Sequence, residues 1–170
     1  QAAPLVGAAN LTGRVGDFDV GIINALLESG EELGSQNTFV GRVSKPVLDQ
    51  STVGAIVTHG DPNSDYDNLV VGSDFQYLSN NFLDKYRLEA NAFILASQSD
   101  NPKFDGGLAP SFGGNFVLPA DEFELEGSFL QIDEDFNPAM GFAPRRGIRR
   151  LGSTLTYQPS PEDTAWLRQY

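Results

Sequence analysis

The segment Tyr86-Arg87-Leu88-Glu89-Ala90-Asn91-Ala92-Phe93-Ile94-Leu95-Ala96-Ser97 decides the fold. Tyr86, Leu88, Ala90, Ala92, Ile94 and Ala96 stand at alternate positions. Arg87, Glu89 and Asn91, followed by Phe93 and Leu95, fill the positions between them. A side-chain period of two places these sets on opposite faces of a β-strand. Neighbouring segments repeat the pattern. In 69–78, Leu69, Val71, Phe75 and Tyr77 oppose Asp74 and Gln76. In 122–132, Phe123, Leu125 and Phe129 oppose Glu124, Glu126 and Ser128, and in 51–59, Val53, Ala55 and Val57 oppose Thr52, Gly54 and Thr58. Segments 12–27, 38–47, 111–118 and 148–158 complete a set of eight strands, and 165–170 reads as the start of another. No helix, repeat or linker is evident.

The joins alternate in length. Those at 28–37, 60–68, 98–110 and 133–147 are long and polar or rich in Gly and Pro, whereas those near 48–50, 79–85, 119–121 and 159–164 are tight. Hairpins with their turns at one rim and loops at the other give this rhythm. Outer-membrane barrels have that form, with short periplasmic turns and long extracellular loops. The fold expected is therefore all-β, an antiparallel up-and-down meander forming an outer-membrane-type β-barrel, or part of one, as a single domain over residues 1–170. The alternative is a soluble β-sandwich or barrel whose apolar faces pack inward.

On the barrel reading, Leu69, Val71, Phe75, Tyr77, Leu88, Ala90, Ala92, Ile94, Phe123, Leu125 and Phe129 face lipid. Asp74, Gln76, Arg87, Glu89, Asn91, Glu124 and Glu126 line a polar lumen. Phe39, Tyr77, Tyr86, Phe123, Tyr157 and Trp166 sit near strand ends, where aromatic girdles form.

Charge and composition narrow the function. The 170 residues carry 23 acidic and 11 basic side chains, a net charge of −12, so a nucleic-acid partner is not expected. There is no cysteine, hence no disulfide, thiol nucleophile or Cys-based metal site. No apolar run is long enough for a transmembrane helix, which leaves a strand-built membrane protein open because barrel strands alternate. The opening Gln1-Ala2-Ala3-Pro4 reads either as a mature N-terminus after cleavage or as an internal cut.

Few residues offer chemistry. His59 is the single histidine, at a strand end before Gly60-Asp61-Pro62, and any Ser-His-Asp triad would have to use it. Nucleophile-elbow and phosphate-loop patterns are missing, so no catalysis and no cofactor is expected. In 61–67, Asp61, Asn63, Asp65 and Asp67 place hard oxygens at alternate positions, as in the first half of a calcium loop. Tyr66 stands where such a loop has glycine, and Gly72 where it has its distal glutamate. A solvated acidic loop is the favoured reading, with structural calcium the alternative. Asp133, Asp135 and Asn137 make a weaker second case. The cluster Arg145-Arg146-Gly147-Ile148-Arg149-Arg150 is read as a salt-bridged strand start, with pairing to lumen acids such as Glu124 and Glu126, or contact with lipopolysaccharide phosphates from an extracellular loop, as the alternatives.

Three stretches together carry a family resemblance: Leu11-Thr12-Gly13-Arg14-Val15-Gly16 running on to Ile22-Ile23-Asn24-Ala25; Ser51-Thr52-Val53-Gly54-Ala55-Ile56-Val57-Thr58; and the region 133–150 with Asp135-Phe136-Asn137-Pro138-Ala139-Met140-Gly141-Phe142. They resemble the barrel region of the DUF5916 family of bacterial surface proteins. Its members look like a carbohydrate-binding-like domain followed by an outer-membrane barrel, with patterns close to LTGKVG…GLLN, RSSVGAIFTNR and GEDFNPEVGFVPRRDIRR. This chain departs at His59-Gly60, where the family has arginine, and at Ala139, where it has glutamate. The resemblance implies an internal barrel segment in the bacterial outer membrane, at the cell surface, with a structural or pore and transport role, and it names no catalytic residue. The expected partners are the lipid bilayer or lipopolysaccharide, and remaining barrel strands or neighbouring copies that would satisfy the edges of an unclosed sheet. The rival function is a soluble extracellular module that binds glycans or proteins through its long loops.

Overall fold

The computed structural model describes residues 5–28, 35–143 and 145–158. Nine strands run in sequence: β1 (Leu5–Val15), β2 (Phe18–Leu27), β3 (Gln36–Val47), β4 (Ser51–His59), β5 (Asn68–Phe82), β6 (Tyr86–Ser99), β7 (Ala109–Pro119), β8 (Phe123–Ile132) and β9 (Ile148–Tyr157). All pair antiparallel with their sequence neighbours in one up-and-down sheet, ordered β1 to β9. Among the described residues β1 and β9 do not pair with each other, so the sheet is open.

One expected strand is in fact a hairpin. Segment 12–27 divides at Gly16-Asp17, with Val15 opposite Phe18, and its first arm extends back to Leu5. Gly16 adopts φ +60°, which a two-residue hairpin turn requires and glycine supplies without steric cost. Likewise β5 runs on through most of the expected 79–85 join, reaching Phe82 after an irregularity beyond Ser79. The tight joins are thus 16–17, 48–50, 83–85 and 120–122, all at one rim, and the long ones at 60–67, 100–108 and 133–143 lie at the other, while 29–34 of the expected join at 28–37 lie outside the described residues. The join at 159–164, the strand at 165–170 and Trp166 lie outside the described residues.

Register sorts the side chains into two faces, because residues directly opposite in an antiparallel ladder share a face. Thr52, Gln76, Asn91, Asn115, Ser128 and Gly152 form one row across five ladders. The adjacent row on the other face is Val53, Phe75, Ala92, Gly114, Phe129 and Leu151. The polar face carries Asp74, Gln76, Glu89, Asn91, Glu124 and Glu126, with Arg87 beside them through its ion pair to Glu89. The apolar face carries Leu69, Val71, Tyr77, Leu88, Ala90, Ile94, Phe123 and Leu125.

Toward the long-loop rim the polar face is the more buried: Asn68 and Ser97 there are each 1% exposed, while Val71 and Ile94 on the apolar face are 43% and 55% exposed. Toward the tight-turn rim the polar face opens, with Gln76, Asn91, Glu124 and Glu126 exposed. Each strand touches only its sequence neighbours, and no second layer covers the apolar face among the described residues.

Aromatics lie on the apolar face at the rims and also at mid-strand, where Phe112 and Phe129 stand 5.7 Å apart. At the tight-turn rim the rings of Tyr86 and Phe123 lie 6.0 Å apart, and Phe123 pairs with Tyr157 in register. Lys45 and Lys85 stand over the rings of Phe18 and Tyr86, each 5.1 Å from the centroid. Phe39 occupies the opposite rim, across from His59.

Candidate functional site

The long-loop rim is where the chain departs from a plain ladder. Loop 133–147 leaves β8 and folds over the polar face. Asp133 starts the bend: its backbone N–H donates to the Pro110 carbonyl, and its carboxylate accepts from the Asp135 N–H at 3.0 Å. This local turn, in which a side chain takes over a backbone partner, delivers Phe136 to a pocket of Ala109 and Ile132 flanked by Leu95, Leu130, Ala143 and Ile148. Phe136 is 3% exposed, so its ring is removed from water almost entirely. The five strand residues of this pocket all hold polar-face positions.

Asn137 fixes the loop beside the ring. Its backbone N–H donates to Ser97 Oγ at 2.9 Å, its side-chain amide donates to Ser99 Oγ at 3.3 Å, and its carbonyl accepts from Asn68 Nδ2 at 3.1 Å. Asn68, Ser97 and Ser99 are buried at the ends of β5 and β6. Buried polar groups of this kind are costly unless paired, and Asn68 Nδ2, Ser97 Oγ and Ser99 Oγ pair with the loop, while Asn68 Oδ1 has no partner among the described residues.

Residues of the loops 60–67, 100–108 and 133–146 then line an open cleft of ≈ 500 Å³. Its lining includes Asn63, Asn101, Lys103, Phe104, Phe142 and Arg146. The loops are locally ordered. Asp61 accepts from the Asn63 N–H at 2.9 Å and the Ser64 hydroxyl at 2.6 Å. Asn101 accepts from the Lys103 N–H at 3.1 Å, and the Asp100 N–H donates to the Asp67 carbonyl, tying two loops together. Gln36 Nε2 donates to Asp65 Oδ1 at 3.1 Å and also to the Ser64 carbonyl.

These contacts describe the calcium candidates directly. The Asp61 carboxylate shapes its own turn, and Asp65 engages Gln36. No three acidic or histidine side chains converge as a metal-holding group among the described residues. His59 is exposed on the apolar-face row of Phe39 and Leu69.

Among the described residues the basic cluster disperses, instead of forming a salt-bridged strand start or pairing with lumen acids. Arg146 stays at the rim, its guanidinium 4.8 Å from the Phe104 ring centroid. Arg149 lies on the apolar-face row and donates twice to Gln131, at 3.0 and 2.8 Å. Arg150 shares the polar face with Glu124 and Glu126 but stands opposite Leu130, while those acids stand opposite Thr156 and Thr154. Strand register holds the charges apart, and no ion pair joins them among the described residues.

Lower on the polar face, Arg42 of β3 reaches over β4 to Asp74 of β5 through a two-point contact of 2.7 and 2.9 Å. The bridge passes over Gly54, where a Cβ would stand 2.7 Å from Arg42 Nη2 and 2.8 Å from Asp74 Oδ2. A side chain here would displace the ends of Arg42 and Asp74 rather than backbone. Gly54→Ala is expected to cost about 0.2–1 kcal/mol, the worth of an exposed ion pair. A double-mutant cycle should recover most of that cost in an Asp74→Ala background, read by denaturant titration.

Comparison with known proteins finds no matching family model, no matching curated protein and no matching solved structure.

Proposed function

We propose that this sheet is wall of an outer-membrane β-barrel at the bacterial cell surface, with the apolar face in lipid and the polar face toward a lumen. One observation carries the reading. The six strands β4 to β9 carry a mostly apolar face opposite one that holds Asp74, Glu89, Glu124 and Glu126 with the amides Gln76, Asn91 and Asn115, and nothing covers the apolar face among the described residues. Hydrocarbon is the solvent that suits such a face, and alternation in a continuous antiparallel ladder is how strands cross a bilayer. Aromatics at both rims and the segregation of turns from loops support the same reading. So does the resemblance to DUF5916-type barrels, whose most specific motif spans the docked loop.

Asp74, Gln76, Arg87, Glu89, Asn91, Glu124 and Glu126 then line the lumen, and loop 133–147, folded over the polar face, narrows its outer mouth. The role is passage of solute, or structure, without catalysis. The open edges of β1 and β9 would pair with further barrel strands or neighbouring copies, because bare backbone polar groups are untenable in lipid.

The test is detergent dependence. Refolded protein should stay monodisperse in detergent micelles and precipitate, or lose its β circular dichroism signal, when the detergent is removed. A stable monodisperse protein in detergent-free buffer would favour the soluble loop-binding module instead.

A further inference from the structure

We propose that the rim cleft binds a small anionic solute, one carrying a carboxylate or a phosphate on a body about the size of a sugar ring. The chain as a whole is strongly acidic, with a net charge of −12, yet this cleft has two basic side chains, Lys103 and Arg146, in its lining. Neither lies within ion-pair distance of a carboxylate among the described residues. The one acidic residue of the lining, Asp61, is buried and serves its own turn through Asn63 and Ser64. The lining itself therefore keeps one net positive charge, set against Asp65, Asp67, Asp100, Asp105, Asp133, Glu134 and Asp135, which the same loops hold outside it.

The cations are also placed for recognition. Arg146 rests on the Phe104 ring, which limits the guanidinium's freedom and leaves its donors available. A planar fork of this kind suits a carboxylate or phosphate. Asn63 and Asn101 add side-chain amides to the lining, and Asn101 Oδ1 is already taken by the Lys103 N–H. Phe142, Pro138 and Ala139 supply an apolar wall, with Phe142 87% exposed. A mostly preformed cleft of a few hundred Å³ with a few convergent polar groups is the form of small-ligand sites. Here the walls are preformed because Phe136 and Asn137 pin the loop that carries Phe142 and Arg146.

The site does not depend on what meets the apolar face, since it is built wholly from loops. Its failure and that of the membrane reading are therefore separable. The test is calorimetric titration of the folded protein with glucuronate, glucose 6-phosphate and neutral glucose. Saturable binding of at least one anionic sugar, with none for glucose, is expected, and the pair shows whether carboxylate or phosphate is preferred. The double variant Lys103→Gln/Arg146→Gln should lose about tenfold or more in affinity. Both residues are exposed, so its circular dichroism should match the parent. Phe142→Ser, also at an exposed position, should weaken binding several-fold while retaining the preference for the anion. Binding of neither anionic sugar, equal binding of glucose, or affinity unchanged in the double variant would overturn the proposal.

Discussion

Phe136→Ala is expected to unseat loop 133–147 at a cost of about 3–5 kcal/mol, the range for deleting a buried aromatic ring. The ring is enclosed by Ala109 and Ile132 with Leu95, Leu130, Ala143 and Ile148 around it, so its loss leaves a void that strand backbones cannot collapse to fill. The sheet should persist, because its ladders do not pass through the loop. Limited proteolysis reads the effect: cleavage within 133–147 should become rapid while the strands stay protected. In planar bilayers the same variant should show larger or noisier conductance if the loop narrows a lumen. Unchanged protease resistance would mean that the Asn137 contacts to Asn68, Ser97 and Ser99 hold the loop unaided.

Ala92→Arg is expected to destabilise the protein by about 2–4 kcal/mol in a bilayer, the cost of a basic side chain near the midplane. Ala92 sits on the apolar face between Phe75 and Gly114, about midway along β6. Gln76→Arg is the control, one register position away on the polar face and already exposed. It should cost little, because its new charge reaches water. Urea unfolding in phospholipid vesicles measures both. Equal costs for the two variants would remove the distinction between the faces on which the membrane reading rests.

The sequence carried the faces well and the loops poorly, for a physical reason. Alternation in 86–97 and 122–132 is local, so every residue assigned to a face from those segments lies there in the structure. The turn at Gly16-Asp17 was local too: the apolar positions change from odd (Val15) to even (Phe18, Val20, Ile22) across it, and reading 12–27 as one strand overlooks that change of phase. The seating of Phe136 was hidden because Ala109, Ile132, Leu95 and Ile148 come from four different strands. An aromatic directly before Asn137-Pro138 in a polar loop was the available signal. The Arg42 bridge to Asp74 spans 32 residues and passes over a glycine between them, and only register reveals it. Register also explains why Arg150 misses Glu126: a shared face does not bring side chains level along the strands.

Because the chain has no native cysteine, single cysteines can be placed for spin labels without background. Nitroxides scanned through 88–95 of β6, with the protein in phospholipid vesicles, test the central claim most directly. At each position, power saturation compares collision with oxygen, which concentrates in hydrocarbon, against collision with a water-soluble nickel complex. Labels at Leu88, Ala90, Ala92 and Ile94 should favour oxygen, labels at Glu89 and Asn91 should favour nickel, and the alternation should have a period of two. Nickel access at every position, or the absence of any alternation, would contradict the assignment of the apolar face to lipid.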